Sequence, residues 1–484
     1  MTPMMKQYLK IKEQHKDCIL FFRLGDFYEM FNEDARLASK ELDLTLTTRD
    51  RNKEKEEDRT PMCGVPYHSA EAYIGRLISK GYKVAICEQL EDPALAKGIV
   101  ERDVIKIITP GMVMDTSMLD ENRSNFVCSV YLEAEGSAVC FADISTGEIS
   151  ATSFPDGSIE KIKHELIRFS PSEAVLNENA GADRETVNFL REKLGCLVQT
   201  DDRRFEYEPA LEIAAKQFAG GAPERLEIYG DRSAVCAVGG LLAYIYDAQK
   251  TDLDHMNTLE YYTEGRFMEF DIQTVRNLEI MQTLRNQEKK GSLLWVIDKT
   301  RTPMGSRLMR SWLSKPLLNA AAIKRRQNAV YSLFSDNVHR GEIIESLKKI
   351  GDIERLIGKA VYGSAGGRDL LSMADYLSEI PELLGHLSAV EKKNPYINEI
   401  CSLDGLSDIR ELIYASIHPK APFSVREGGV INDGYDSEID RLRGLLGGST
   451  DALSAIESRE RERTGKKLKV GYNRVFGYYI EIPR

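Results

Sequence analysis

The sequence predicts a multidomain protein, α/β in its first half and predominantly α in its second. Three observations predict it. At 484 residues the chain exceeds one ordinary hydrophobic core, so three or four domains are expected. Up to about residue 255, apolar runs of strand length are interleaved with segments of helical spacing. From residue 266 onward apolar residues recur mainly at three- and four-residue intervals, the mark of helices. An apolar fraction of 42% beside 29% charged residues fits a globular chain.

Residues 1–115 read as a small mixed domain. Met5 to Glu13 has the spacing of a short helix and Cys18 to Phe22 is a compact apolar strand. Asp34 to Leu42 is a helix with Ala35, Leu37, Ala38 and Leu42 inward. Ser69 to Lys80 is another, with Ala72, Tyr73, Leu77 and Ile78 recurring on one side, and Gly81 stops it as a C-cap glycine. Lys83 to Glu88 and Asp103 to Thr109 read as strands, closed by Pro110-Gly111. The run Arg49 to Arg59 is a charged surface loop with no function assigned. The most informative stretch is Gly25 to Phe31. If Gly25 starts a turn and the following residues are extended, Phe27 and Glu29 project on the same side. A ring so placed can wedge between stacked bases while the carboxylate meets a base edge. Unstacking costs least where pairing is already faulty. The plainer alternative makes Phe27 a core residue and Glu29 its solvated neighbour.

A linker from Met114 to Ser124 leads to a second domain, residues 124–255. Phe126 to Leu132, Ala138 to Ile144 and Thr146 to Thr152 alternate as an antiparallel meander, turning at Ala134 to Gly136 and Ser145 to Gly147. A helix at Gly157 to Phe169, a strand at Ala174 to Leu176 and a helix at Ala234 to Tyr246 complete an α/β unit. Asp143 and Glu148 raise the idea of a metal-dependent nuclease. Two-metal chemistry needs several carboxylates converging on its ions, and these two fall short of that.

Residues 266–435 read as a helical domain. Leu278, Met281 and Leu284 open the pattern, Leu293, Leu294 and Ile297 follow, and Met304, Leu308, Met309, Trp312 and Leu313 are expected as a core face. Asp352 and Glu354 are read as helix-start residues rather than an active pair. In residues 436–484, Asp433 to Lys466 is expected as one long charged helix, interrupted at Gly447 and Gly448. Strands at Leu468 to Tyr472 and Phe476 to Ile482 follow it. The chain carries a net charge of −11, yet Arg441 to Arg484 holds ten basic and five acidic side chains. Lys466, Lys467, Lys469 and Arg474 are therefore candidate phosphate contacts, gaining from counterion release without reading sequence. The alternative for each is a solvated charge on an arm.

Several of these stretches, in order, resemble the MutS family of bacterial DNA mismatch repair proteins. They are Phe21-Phe22-Arg23-Leu24-Gly25-Asp26-Phe27-Tyr28-Glu29-Met30-Phe31, Asp43-Leu44-Thr45-Leu46-Thr47, and Pro61-Met62-Cys63-Gly64-Val65-Pro66-Tyr67-His68. Val84-Ala85-Ile86-Cys87-Glu88-Gln89 and Val104-Ile105-Lys106-Ile107-Ile108-Thr109-Pro110-Gly111 continue the series. The resemblance implies a mismatch-recognition domain in which Phe27 stacks on the mispaired base from the minor groove and Glu29 hydrogen-bonds to it. Phe141-Ala142-Asp143-Ile144-Ser145-Thr146-Gly147-Glu148 resembles the family's connector and implies a ribonuclease H-like fold. Asp271-Ile272-Gln273-Thr274-Val275-Arg276-Asn277, Thr302-Pro303-Met304-Gly305-Ser306-Arg307 and Gly351-Asp352-Ile353-Glu354-Arg355-Leu356 resemble its helical core, or lever. Glu460-Arg461-Glu462-Arg463-Thr464-Gly465 and Leu468-Lys469-Val470-Gly471-Tyr472-Asn473 resemble the first half of its clamp.

What the family does beyond these stretches implies the rest. The clamp's returning arm, an ATPase domain and a dimerisation region are expected to lie outside this chain, which reads as a truncation. No Gly-x-x-x-x-Gly-Lys-Ser/Thr occurs, and Thr464-Gly465-Lys466 lacks the required spacing and hydroxyl. ATP and Mg are thus expected only of a full-length parent, and no cofactor or metal of this chain. Expected partners are double-stranded DNA with mismatches or small insertion loops, a second copy in the full-length protein, and a MutL-like repair partner. A junction-binding recombination protein of the same family and a non-DNA-binding scaffold are the alternatives. Eight cysteines are scattered without a Cys-x-x-Cys pair, as in a reducing compartment. With no secretory h-region and no apolar run of about 18–20 residues, the expected location is cytoplasmic and nucleoid-associated.

Overall fold

The computed structural model describes residues 2–48, 59–91, 98–390, 394–447, 449–465, 468–473 and 477–482. Most of the charged run expected as a loop, residues 49–58, lies outside them. The chain divides into two compact units, Met1–Ser364 with Glu379–Leu403, and Ala365–Ser378 with Asp404–Arg484.

The first unit begins with a six-stranded sheet in the order β3-β4-β2-β1-β5-β6. Its strands are β1 (Cys18–Leu24), β2 (Phe27–Phe31), β3 (Thr47–Thr48), β4 (Pro61–Pro66), β5 (Lys83–Gln89) and β6 (Arg102–Ile108). Only the β1–β5 pair is parallel. Helix α1 (Pro3–Gln14) covers one face and α2 (Asn32–Leu42) and α3 (Ala70–Ile78) pack with the other. Period-two alternation along β1 sends Leu20 and Phe22 to the α1 side and Ile19 and Phe21 to the α2–α3 side. Two details differ from the periodicity reading. Ala72 of α3 is exposed, and Ile74, two residues on and across the helix, takes the inward position. Asp34 of α2 is buried, because it accepts hydrogen bonds from Leu20 N at 3.0 Å, Lys12 Nζ at 2.8 Å and the Tyr8 hydroxyl at 3.3 Å. Gly81 ends α3 as expected, with φ +84°.

A second six-stranded sheet follows, in the order β11-β10-β7-β8-β9-β12. It comprises β7 (Val127–Glu133), β8 (Gly136–Asp143), β9 (Glu148–Phe154), β10 (Glu173–Leu176), β11 (Leu197–Thr200) and β12 (Leu259–Tyr261). The expected meander is β7–β8–β9, antiparallel throughout, while β10, β11 and β12 add in parallel at the edges. The helices Tyr207–Phe218 and Arg232–Gln249 cover one face and Ile159–Phe169 the other.

The helical region contradicts two expectations. Leu278, Met281 and Leu284, read as opening the helical pattern, follow the short helix Ile272–Asn277 in turns and bends. On the helix Pro303–Ser314 the buried residues are Ser306 and Arg307, and Leu308 is 53% exposed. The inward position belongs to an arginine because it is fully paired. Arg307 donates from Nη1 to Asp352 at 2.6 Å, from Nη2 to Asp352 at 2.8 Å and to Glu354 at 2.6 Å, and from Nη1 to the Glu121 carbonyl at 2.9 Å. A buried guanidinium is tolerated on these terms and not otherwise. Asp352 also caps the helix Ile353–Val361, accepting from Arg355 N, which agrees with its reading as a helix-start residue.

In the second unit, Tyr414 on the helix Ser407–Ser416 donates to Asp375 at 2.7 Å, and Asn432 donates to the carbonyls of Tyr414 and Ala415. Of the long helix expected from Asp433, Ser437–Gly447 and Ser449–Thr464 are helical, and Gly448 between them lies outside the described residues. The antiparallel strands β13 (Lys469–Asn473) and β14 (Gly477–Glu481) follow.

Candidate nucleic-acid interface

Strand β2 is built by a tight hairpin. β1 and β2 pair in the register Leu24↔Phe27, Arg23↔Tyr28 and Phe22↔Glu29, which leaves Gly25 and Asp26 as a two-residue loop. Gly25 has φ +57°, the left-handed region that two-residue hairpins require and glycine enters at least cost. β2 is then flanked on its other edge by β4, with Phe27↔Pro66, Glu29↔Gly64 and Phe31↔Met62. Paired on both edges, it is an interior strand, so the side chains it carries are held by two ladders.

Alternation along β2 sends Tyr28 and Met30 into the α2–α3 core, and Phe27, Glu29 and Phe31 to the face covered by α1. The cover is partial. Phe31 is fully buried beneath Tyr8, whose ring centroid is 4.9 Å away edge-on. At the hairpin end, on the same face, Phe27 is 46% exposed and Glu29 half-buried. The two expected contact residues are therefore side by side on one face at the uncovered end of an otherwise buried strand. Gly64 stands opposite Glu29, where an added Cβ would lie 3.1 Å from the Tyr28 carbonyl oxygen and 3.5 Å from Glu29 Cγ. Its missing side chain leaves the carboxylate stem uncrowded.

The clamp candidates are in the second unit. Lys469 is exposed at the start of β13, across from Glu481. Lys466, Lys467 and Arg474 lie outside the described residues. Tyr472 and Tyr478 form a cross-strand ring pair 5.0 Å apart. The Tyr479 ring lies over Gly471, where a Cβ would come within 2.7 Å of it.

The Asp143–Glu148 idea finds no support in the geometry. Asp143 is fully buried and serves a turn, accepting from Asn125 N and Ser145 N at 2.9 Å and from the Ser145 hydroxyl at 2.6 Å. Burial pushes the Glu148 carboxyl up, with Lys315 at 3.9 Å opposing that shift. Among the described residues no group of three or more His, Cys, Asp or Glu could hold a metal ion, and no helix is long and apolar enough to cross a membrane.

Sequence reasoning did not foresee two polar hubs. Arg355 is the largest fully buried side chain, donating to the carbonyls of Asp120 at 3.0 Å and Arg123 at 2.8 Å and to Ser145 Oγ at 3.2 Å. Glu173, also buried, accepts from Thr109, Gly111 N, Tyr244 and Gln199. Both sit in quoted or strand-forming stretches, but nothing in spacing alone separates a buried charge from a solvated one.

Three family models match the chain in order: MutS domain I over residues 2–117, MutS domain II over 125–257 and MutS domain III over 273–467. The chain belongs to the MutS family. It is 47% identical over 487 residues to the DNA mismatch repair protein MutS of Ruminiclostridium cellulolyticum, with the whole chain and 55% of that relative covered. It is 45% identical to the MutS proteins of Acetivibrio thermocellus and Clostridium novyi, covering 55% and 52% of them. The chain thus spans about half the length of these MutS relatives. Its architecture, two mixed α/β parts followed by an all-α part, is the one that MutS domains I to III match.

Proposed function

We propose that this chain recognises mispaired or looped bases in duplex DNA, with Phe27 entering the base stack from the minor groove and Glu29 contacting the displaced base. The observation that carries the reading is the exposed Phe27 ring beside Glu29 at the open end of an interior strand. A ring held in solvent beside a carboxylate is free to bury its apolar surface against a partner. A mismatched step kinks and unstacks at lower cost than a paired one, so duplex weakness becomes the signal. Against an acceptor atom on the base, Glu29 would be protonated to donate.

The finer assignments follow the same reading. Residues 1–115 act as the mismatch-recognition domain, 124–255 as a ribonuclease H-like connector, 266–435 as the core or lever and 436–484 as part of a clamp. Lys466, Lys467, Lys469 and Arg474 then hold phosphates without reading sequence. In the full-length relatives, ATP and Mg, a second copy and a MutL-like partner would turn recognition into a repair signal, in the cytoplasm at the nucleoid.

Fluorescence anisotropy of the chain with matched, G·T and single-base-insertion duplexes tests this, beside Phe27→Ala. Base–aromatic stacking is worth about 1–3 kcal/mol, so the variant should lose about five- to 150-fold in mismatch affinity and little on matched DNA. Undiminished mismatch preference in Phe27→Ala would refute the wedge.

A further inference from the structure

We infer that Arg23 is the positioning residue for the Phe27 wedge: its guanidinium, with Tyr67, clasps the two-residue loop, Gly25 and Asp26, that leads directly into Phe27. The inference rests on the wedge reading above. Arg23 pairs directly with Tyr28, so it lies on the sheet face opposite Phe27 and cannot itself meet what Phe27 meets. Its Nε donates to the Gly25 carbonyl at 2.6 Å. The Tyr67 amide donates to the Asp26 carbonyl at 3.0 Å. Both carbonyls of the loop are therefore held, and the two holders are stacked on each other, with the guanidinium carbon 3.6 Å from the centre of the Tyr67 ring.

The clasp is anchored at depth. Arg23 Nη1 donates to Glu88 on β5 at 3.2 Å, and the Tyr28 hydroxyl donates to the same carboxylate oxygen. The Arg23 carbonyl in turn accepts from Arg102 Nε on β6 at 2.8 Å. Through one side chain the loop is tied to β5, to the turn after β4 and, by way of the backbone, to β6. Arg23 is only 8% exposed, a depth at which a charge must be fully partnered.

The two-residue loop beside the ring has few contacts of its own, and Phe27 sits at the very end of its strand. A ring free to reorient would pay ordering entropy on entering the stack, and a loop free to bend would yield before the bases do. The clasp removes both losses in advance. Arginine is required for it: the planar fork donates in two directions while its face lies on an aromatic ring, which a lysine ammonium on a flexible stem cannot reproduce.

Amide hydrogen exchange on the full chain tests the clasp without DNA, in Arg23→Lys and, because that variant risks the fold, in Tyr67→Leu, which removes the stacked ring and keeps the backbone amide. Exchange across residues 24–28 should rise about tenfold in each, with α3 unchanged. Unchanged exchange at the loop in both variants overturns the inference. Anisotropy then reads the consequence: Arg23→Lys should lose mismatch preference with matched-duplex affinity held within about twofold, and a fully retained preference also overturns it. A wild-type chain without preference, or a Phe27→Ala chain that keeps it, sinks the wedge reading and not the clasp, which exchange alone then decides.

Discussion

Phe27 and Phe31 occupy the same face of the same strand, four residues apart, and have opposite environments. Phe31 is sealed under Tyr8, and Phe27 stands half in solvent beyond the reach of α1. Strand periodicity treats them identically, so the difference comes from tertiary cover and not from local sequence. One end of β2 is spent on stability. On the proposed reading, the other is left for a mismatched base.

The comparison breaks most visibly at the covered end. Phe31→Ala should cost about 3–5 kcal/mol, as large aromatic deletions in cores do, read as faster amide exchange across β1 and β5. A loss below about 1 kcal/mol would mean that the α1 cover is loose and the contrast between the two ends weak. Gly25→Ala should cost about 1–2 kcal/mol. An added Cβ there meets nothing within 4 Å, so the whole cost is the φ of +57°. An effect confined to residues 24–28 would mark the hairpin tip as separately adjustable. Spread over the sheet, it would show that the tip and the core open together.

A smaller effect belongs to Glu173, where Thr109 and Gly111, just past β6, meet the second sheet. Burial pushes its carboxyl up, and hydrogen bonds from Thr109 and Tyr244 only partly oppose this. The folded chain therefore holds this proton more tightly than the unfolded chain does. Its contribution is full below the ordinary value of 4.5 and is lost as pH rises through the raised value. Glu173→Gln should flatten the fall in thermal stability above about pH 4.5. An unchanged slope would mean that Glu173 is not the group responsible. Least of all, Phe27→Ala should change stability by no more than about 0.5 kcal/mol, the usual range for surface sites. A cost comparable to that of Phe31→Ala would return Phe27 to the core and remove the reason for calling it a contact residue.

Much of this was legible in the sequence, for identifiable reasons. Gly25 followed by extended residues was enough to put Phe27 and Glu29 on one side, because two-residue hairpins constrain both φ and register. The meander and the long helix Arg232–Gln249 announced themselves through apolar periodicity. Charge was harder to read. Arg307 and Arg355 are buried because carboxylates and carbonyls distant in sequence converge on them, and periodicity assigned the inward face of Pro303–Ser314 to its apolar neighbours instead. Asp34 was hidden for the same reason. β4 (Pro61–Pro66) does not announce itself as a strand, since its two prolines and central glycine disfavour one; the prolines stand at its ends, where the ladder can spare an amide.

The most direct test places the fluorescent base 2-aminopurine beside a G·T mismatch and titrates the duplex with wild-type chain and with Phe27→Ala. Insertion of the Phe27 ring should unstack the probe, raising its emission with wild type and leaving it at the free-duplex level with the variant at equal occupancy. An equal rise with both proteins would contradict the central claim, because the stack would then be opened by something other than Phe27.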